Sequence, residues 1–147
     1  MSSYPGTLPV RLLAATAAAP TRSRSGDAAY DLTAAEPALI GAGERALVGT
    51  GVALAIAGGW CGLVVPRSGL AARDGVVPVL GLIDPNYRGE IKVTLRNQGN
   101  APYAVQPGDR IAQLLLVPFG GPAVELVNEL PDEHGDRGEQ GFGSSGR

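Results

Sequence analysis

Apolar and polar positions alternate most cleanly over Glu90–Arg96. Ile91, Val93 and Leu95 fall on one side, and Lys92, Thr94 and Arg96 on the other. Successive side chains of a strand point to opposite faces, so this alternation predicts a half-buried β-strand running to Asn97. Shorter apolar runs predict further strands at 10–13, 30–33, 45–48, 51–57, 60–65, 76–83 and 110–117. The last of these is apolar almost throughout, which predicts a central strand or one covered on both faces. Gly58-Gly59 predicts a tight hairpin into Trp60. Asp84-Pro85-Asn86-Tyr87 predicts a second hairpin, joining 76–83 to 90–97, and Pro107-Gly108 marks another turn. Ser68–Arg73 is the best helix candidate, with Ser68 as N-cap and Gly75 as its stop. Many short strands parted by Gly and Pro predict an all-β fold, a sandwich or barrel such as a jelly roll.

Composition sharpens this picture. At 147 residues the chain suits one domain with its own core. Residues 1–136 read as a single β domain, and 137–147 as a Gly-rich C-terminal arm. The arm has one large apolar side chain, Phe142, and cannot bury a core. The net charge is −2 and the basic residues are scattered, so the pattern of a nucleic-acid binder is absent. Cys61 is the only cysteine and His134 the only histidine, which removes an internal disulfide and argues against a Cys/His zinc site or a Ser-His-Asp triad. Cys61 is expected to act as a small buried hydrophobe. The apolar stretch at 8–20 is interrupted by Arg11 and makes a poor secretory leader, and no stretch is long enough to span a membrane. The expectation is a soluble cytoplasmic protein.

Several residues have the chemistry of a nucleotide site, each with a plainer alternative. The arm combines glycines, serines and Arg137, which suits wrapping a phosphate chain around or simply forming a flexible tail. Arg67 and Ser68 stand where a strand meets a helix, a place for a phosphate or for an ordinary cap. Asp84 is either a general base that orients water or a turn-starting Asp. Tyr87 is either a sugar-packing ring or a cross-strand aromatic. Asp31 lies in an apolar strand, where a carboxylate needs Mg²⁺, through water, or a salt bridge to an Arg. Gln113 lies inside the apolar 110–117 run and must find partners in the core, a subunit contact or a ligand.

In order along the chain stand Asp27-Ala28-Ala29-Tyr30-Asp31-Leu32, Pro66-Arg67-Ser68-Gly69-Leu70-Ala71, the segment 81–90 around Ile83-Asp84-Pro85-Asn86-Tyr87, Pro107-Gly108-Asp109-Arg110-Ile111-Ala112-Gln113-Leu114, and the arm from Arg137. Together they resemble the five ordered motifs of the homotrimeric dUTPases, over nearly the whole chain from about residue 20 to 147. The resemblance implies a jelly-roll subunit of the dUTPase-like β-clip type, in a homotrimer with active sites between subunits. It implies hydrolysis of dUTP to dUMP and pyrophosphate, with Mg²⁺ on the triphosphate. Asp84 would orient the water that attacks the α-phosphorus, and Tyr87 would stack on the deoxyribose and exclude a 2′-hydroxyl. The backbone of Leu82, Ile83 and Asp84 would read the uracil edge, and Lys92 would line the pocket. Arg67, Ser68 and Gly69 would hold phosphates from a neighbouring subunit, with Gln113 nearby, and Asp31 would support the metal's water shell. The arm would close over a site in another subunit, placing Phe142 on uracil and Arg137, Gly143, Ser144 and Ser145 at the phosphates.

The chain departs from the family pattern at four places. Ala29 stands for Gly, Gln140 for Gly and Ser145 for Thr. The segment between Gly75 and Gly81 reads as two residues short, which puts Pro78 at the position of a pocket Asn. Two other readings of the same residues are a dCTP deaminase-related enzyme and a nucleotide-binding regulatory protein that signals through a partner.

Overall fold

The computed structural model describes residues 3–131. Among them the chain forms eleven strands and one short helix. The strands are β1 (Val10–Leu12), β2 (Ala29–Thr33), β3 (Ala38–Ile40), β4 (Arg45–Gly49), β5 (Val52–Leu54), β6 (Trp60–Val65), β7 (Val76–Pro78), β8 (Gly81–Ile83), β9 (Lys92–Asn97), β10 (Tyr103–Val105) and β11 (Arg110–Pro118), with helix α1 (Ser68–Asp74) between β6 and β7. They pair antiparallel in four small sheets, ordered β2-β11-β6-β8, β4-β9-β7, β1-β5 and β3-β10. The all-β expectation holds.

The alternation read at 90–97 is met, with the paired strand beginning two residues later, at Lys92. Ile91, Val93 and Leu95 are buried, while Lys92 and Arg96 face outward. They pack with Leu32, Ile40, Val48, Val76, Val105, Ile111 and Leu114 in one continuous core. Fully burying a side chain of this size stabilises the fold by roughly 1.5–3 kcal/mol, so the core outweighs local propensity in choosing the strand faces. The apolar β11 is central, flanked by β2 and β6. Cys61 is buried, as expected of a small hydrophobe.

Three sequence expectations are corrected. Gly58-Gly59 does form a turn, with Gly59 at φ 80° and the Trp60 N–H donating to the Ala57 carbonyl at 3.1 Å. The strands it joins do not pair, however: β5 pairs with β1, and β6 with β11 and β8. The run 76–83 is not one strand. It breaks after Pro78 into β7, on β9, and β8, on β6, with Val79 and Leu80 exposed at the crossing. The N-cap of α1 is Arg67, not Ser68. The backbone of β6 stays extended through Arg67 (φ −89°, ψ 119°), so Ser68 is already helical and gives no side-chain cap bond. The stop at Gly75 is as expected, in the left-handed conformation with φ 66°. Strands β3 and β10 gave no sequence signal, being three residues each and bounded by Pro37, Gly41 and Pro102.

Candidate functional site

The fold gathers eight of the expected residues into two cavities that share no residue. The first is a cleft of about 400 Å³ formed where β8 turns into β9. Val64, Ile83 and Ile91 give it apolar walls, and Gly81, Leu82, Asp84, Tyr87, Glu90 and Lys92 complete its lining. β8 is one of the two edge strands of its sheet, so among the described residues its outer backbone groups have no strand partner. The turn carrying Asp84 is closed by the Tyr87 N–H, which donates to the Asp84 carbonyl at 3.1 Å. Arg88 braces it from outside, donating to the carbonyls of Pro85 (2.6 Å) and Tyr87 (2.8 Å). The Tyr87 hydroxyl donates to the Glu90 carbonyl at 2.9 Å. The Glu90 carboxylate accepts the Gly51 N–H at 2.9 Å and lies 3.6 Å from Lys92 Nζ. Pro78 lines neither cavity; it is buried in β7 opposite Leu95.

The second cavity, about 450 Å³, is lined by Ser23, Arg24, Asp27, Ala28, Ala29, Asp31, Arg67, Arg110 and Gln113. Its centre is set by strand register: Gln113 on β11 lies opposite Asp31 on β2 and opposite Val65 on β6, and β6 leads directly to Arg67. Asp31 is only 6% exposed. One carboxylate oxygen accepts from Arg67 Nε (3.1 Å) and Gln113 Nε2 (3.2 Å), the other from Ser23 Oγ (3.2 Å) and Arg110 Nη1 (3.4 Å). Burial alone would raise the pKa of this carboxyl. The Gln113 bond, the Arg67 charge and the bonds from Ser23 and Arg67 outweigh burial and hold it below the ordinary value. The salt-bridge alternative for Asp31 is thus realised, within a cavity that stays net basic: three arginines line it against two aspartates.

Mg²⁺ keeps most of its waters and favours one or two carboxylates plus phosphate oxygens. Among the described residues no cluster of three or more His, Cys, Asp or Glu side chains exists. That donor set does not cage a resident ion. One buried carboxylate, Asp31, is a donor that a hydrated Mg²⁺ could meet through water.

Of the expected residues, Leu82, Ile83, Asp84, Tyr87 and Lys92 meet in the cleft, and Asp31, Arg67 and Gln113 in the basic cavity. Ser68 and Gly69 are exposed at the start of α1, next to Arg67, and line neither. Arg137, Phe142, Gly143, Ser144 and Ser145 lie outside the described residues. Sequence reasoning missed Ser23, Arg24, Arg110 and Glu90. Arg110 was visible inside its motif, but nothing in a polar loop marks Ser23 as a partner of Asp31 on β2 or Arg24 as lining the same cavity.

Fold and cavities together define a class: an all-β protein with an arginine-lined, net basic cavity and a separate cleft lined by a tyrosine and two carboxylates. The family model for dUTPase matches residues 15–146, and the chain belongs to the dUTPase family. It is 49% identical over 131 residues to the deoxyuridine 5′-triphosphate nucleotidohydrolase of Corynebacterium glutamicum, covering 87% of each chain. Its structure superposes on a mutant dUTPase of Staphylococcus bacteriophage 80alpha in complex with dUpNHpp, with TM-score 0.90 and 32% identity over 96% of this chain and 99% of that one. It also matches a mutant dUTPase from phage phi11 of S. aureus, in which a structural Mg(II) ion is coordinated, with TM-score 0.80 and 30% identity over 84% and 98% of the two chains.

Proposed function

We propose that this chain hydrolyses dUTP to dUMP and pyrophosphate in the cytoplasm, as a jelly-roll subunit of a homotrimer whose active sites are shared between subunits. The observation that carries this reading is the division of the site. The cleft offers an edge strand, a tyrosine and a carboxylate, but its one cation, Lys92, is already paired with Glu90. The basic cavity offers Arg24, Arg67, Arg110 and Gln113, but among the described residues no aromatic ring lines it to pack on a sugar. A nucleoside triphosphate needs both halves, and a second copy of the chain supplies the missing one. The exposed apolar side chains of Val124, Leu126 and Leu130 (93%, 97% and 85%) also favour a partner subunit, since isolated chains rarely leave such a run in water. The single, unbridged Cys61 suits a reducing compartment, and no helix among the described residues is long and apolar enough to cross a membrane.

In this site the backbone of Leu82, Ile83 and Asp84 reads the uracil edge, and the Tyr87 ring lies on the deoxyribose. Asp84 holds a water in line with the α-phosphorus and takes its proton as the phosphorus–oxygen bond to the leaving pyrophosphate breaks. From the neighbouring copy, Arg67 and Gln113, with Ser68 and Gly69, hold the phosphate oxygens where negative charge develops. Asp31 would hold, through water, a Mg²⁺ carried on the triphosphate, which would supply further charge neutralisation. The arm, residues 137–147, closes over the site and excludes bulk water. The test is pyrophosphate release from dUTP beside dCTP, dTTP and UTP, with Asp84→Asn as control. Release from dUTP alone, lost in Asp84→Asn while nucleotide still binds, is expected. Undiminished turnover in that variant would remove Asp84 from the reaction.

A further inference from the structure

Tyr87 is 46% exposed, so little of the protein holds its ring in place. What does hold it is unusual. The ring folds back over its own chain until its hydroxyl reaches the Glu90 carbonyl at 2.9 Å. That carbonyl is fixed in turn, because the Glu90 carboxylate is tied to the Gly51 N–H at 2.9 Å. Between the two residues lies Gly89. A Cβ added there would overlap the Tyr87 hydroxyl and come within 2.6 Å of Cζ and 3.0 Å of Cε2. All three nearest atoms belong to that one ring, and the Gly89 φ lies outside the left-handed region. The backbone therefore does not require glycine at 89; the ring does.

We propose that Gly89 is a specificity-determining positioning residue. Its bare Cα is the seat on which the Tyr87 ring rests, and that seat sets the preference for a deoxyribose over a ribose nucleotide. This rests on the reading above that Tyr87 packs on the sugar. A methyl group at 89 leaves the backbone free to keep its path and forces the weakly held ring into another rotamer. The ring then no longer presents its face where a 2′-hydroxyl would have to go. Discrimination of this kind is a difference between two transition-state affinities, so a displaced wall affects the ratio of substrates and not only the overall rate.

The experiment compares the full-length wild type, Gly89→Ala, Tyr87→Ala and the double variant, measuring kcat and KM for dUTP and for UTP with Mg²⁺. Gly89→Ala is expected to lower the dUTP:UTP ratio of kcat/KM about tenfold. In the Tyr87→Ala background, where no ring is left to displace, the same substitution should change the ratio by less than about twofold. An equal loss on both nucleotides, or the same drop in both backgrounds, would overturn the proposal while leaving Tyr87 its role. If Tyr87→Ala does not change the ratio, the role of the ring at the sugar falls, and this proposal with it. Should Gly89→Ala fail to fold, Tyr87→Phe probes the same seat: losing the hydroxyl that Glu90 accepts should lower the ratio about threefold. An unchanged ratio there would overturn the proposal.

Discussion

If each active site takes Asp84 from one subunit and Arg67 from another, two inactive proteins should restore each other. The perturbation is a pair of single variants, Asp84→Asn and Arg67→Ala. Alone, the first should lose about a thousandfold in turnover, the range for a missing positioned base. The second should lose about a hundredfold for a missing phosphate clamp. Neither should unfold the subunit. Asp84 is exposed, and without Arg67 the Asp31 carboxylate keeps Gln113, Ser23 and Arg110. In mixed trimers a site is intact when its Asp84 comes from the arginine variant and its Arg67 from the aspartate variant. Random assembly makes that fraction the product of the two subunit fractions, so activity should rise to about a quarter of wild type at equal mixing and fall away symmetrically on both sides. The assay is pyrophosphate release from dUTP after co-refolding or co-expression at several ratios. Were both residues to serve one site from the same chain, every site would carry a defect, and no mixture would exceed the average of its parents. A flat profile would therefore refute the shared site.

Other outcomes follow from particular contacts. Asp31 is held below its ordinary pKa of 3.8, so the unfolded chain takes up that proton more readily than the folded one. The stability it contributes is fully present above about pH 3.8 and is lost as pH falls through the lowered value. Asp31→Asn should therefore cost about 1–2 kcal/mol near pH 7, modest because Arg110 is half exposed, and the gap to wild type should close in acid. Denaturant melts that keep the same gap at every pH would contradict this. Gly75→Ala should destabilise by about 1–3 kcal/mol in a denaturant melt. The new Cβ would sit at φ +66° and within 2.9 Å of the Gly99 nitrogen, and an unchanged midpoint would show the left-handed cap to be dispensable. Deleting residues 137–147 should abolish turnover and leave the thermal midpoint in place, and unchanged rates would remove the arm from the mechanism.

How much of this was legible in the sequence depended on whether the signal was local. The strand at 90–97 was visible because its alternation matches the two faces of a half-buried sheet. The stop at Gly75 was visible because a left-handed residue after a helix favours glycine. Pairing was less legible. Gly58-Gly59 and the 76–83 run looked like hairpin components, yet the choice of partner is made by the core. β6 pairs with β11 and β8, and Val64 and Leu114 of this sheet join the common core. The split at Pro78 follows the same logic: one stretch supplies two sheets, and the proline leaves one backbone donor fewer where it crosses. Site residues carried by a motif were named individually, but their division between two places came from the family resemblance alone, because distance in the fold leaves no trace in spacing along the chain.

The basic cavity explains why a carboxylate belongs at its centre. Several arginines facing one another repel, and without a ligand each would swing toward water. Asp31 binds two of them through different oxygens, and Arg67 also donates to the Arg110 carbonyl at 3.2 Å. The guanidinium groups are thereby held at fixed positions before any phosphate arrives. That saves the entropy of ordering long side chains on binding. The arrangement does not cancel the charge, since Arg24 also lines the cavity and leaves arginines in excess over aspartates. That excess is small beside the charge of a triphosphate, so the cavity attracts the phosphates but does not neutralise them. On the proposed function this would leave a role for a Mg²⁺ carried by the nucleotide, and among the described residues the one buried carboxylate that could hold its water shell is the one that already orders the arginines.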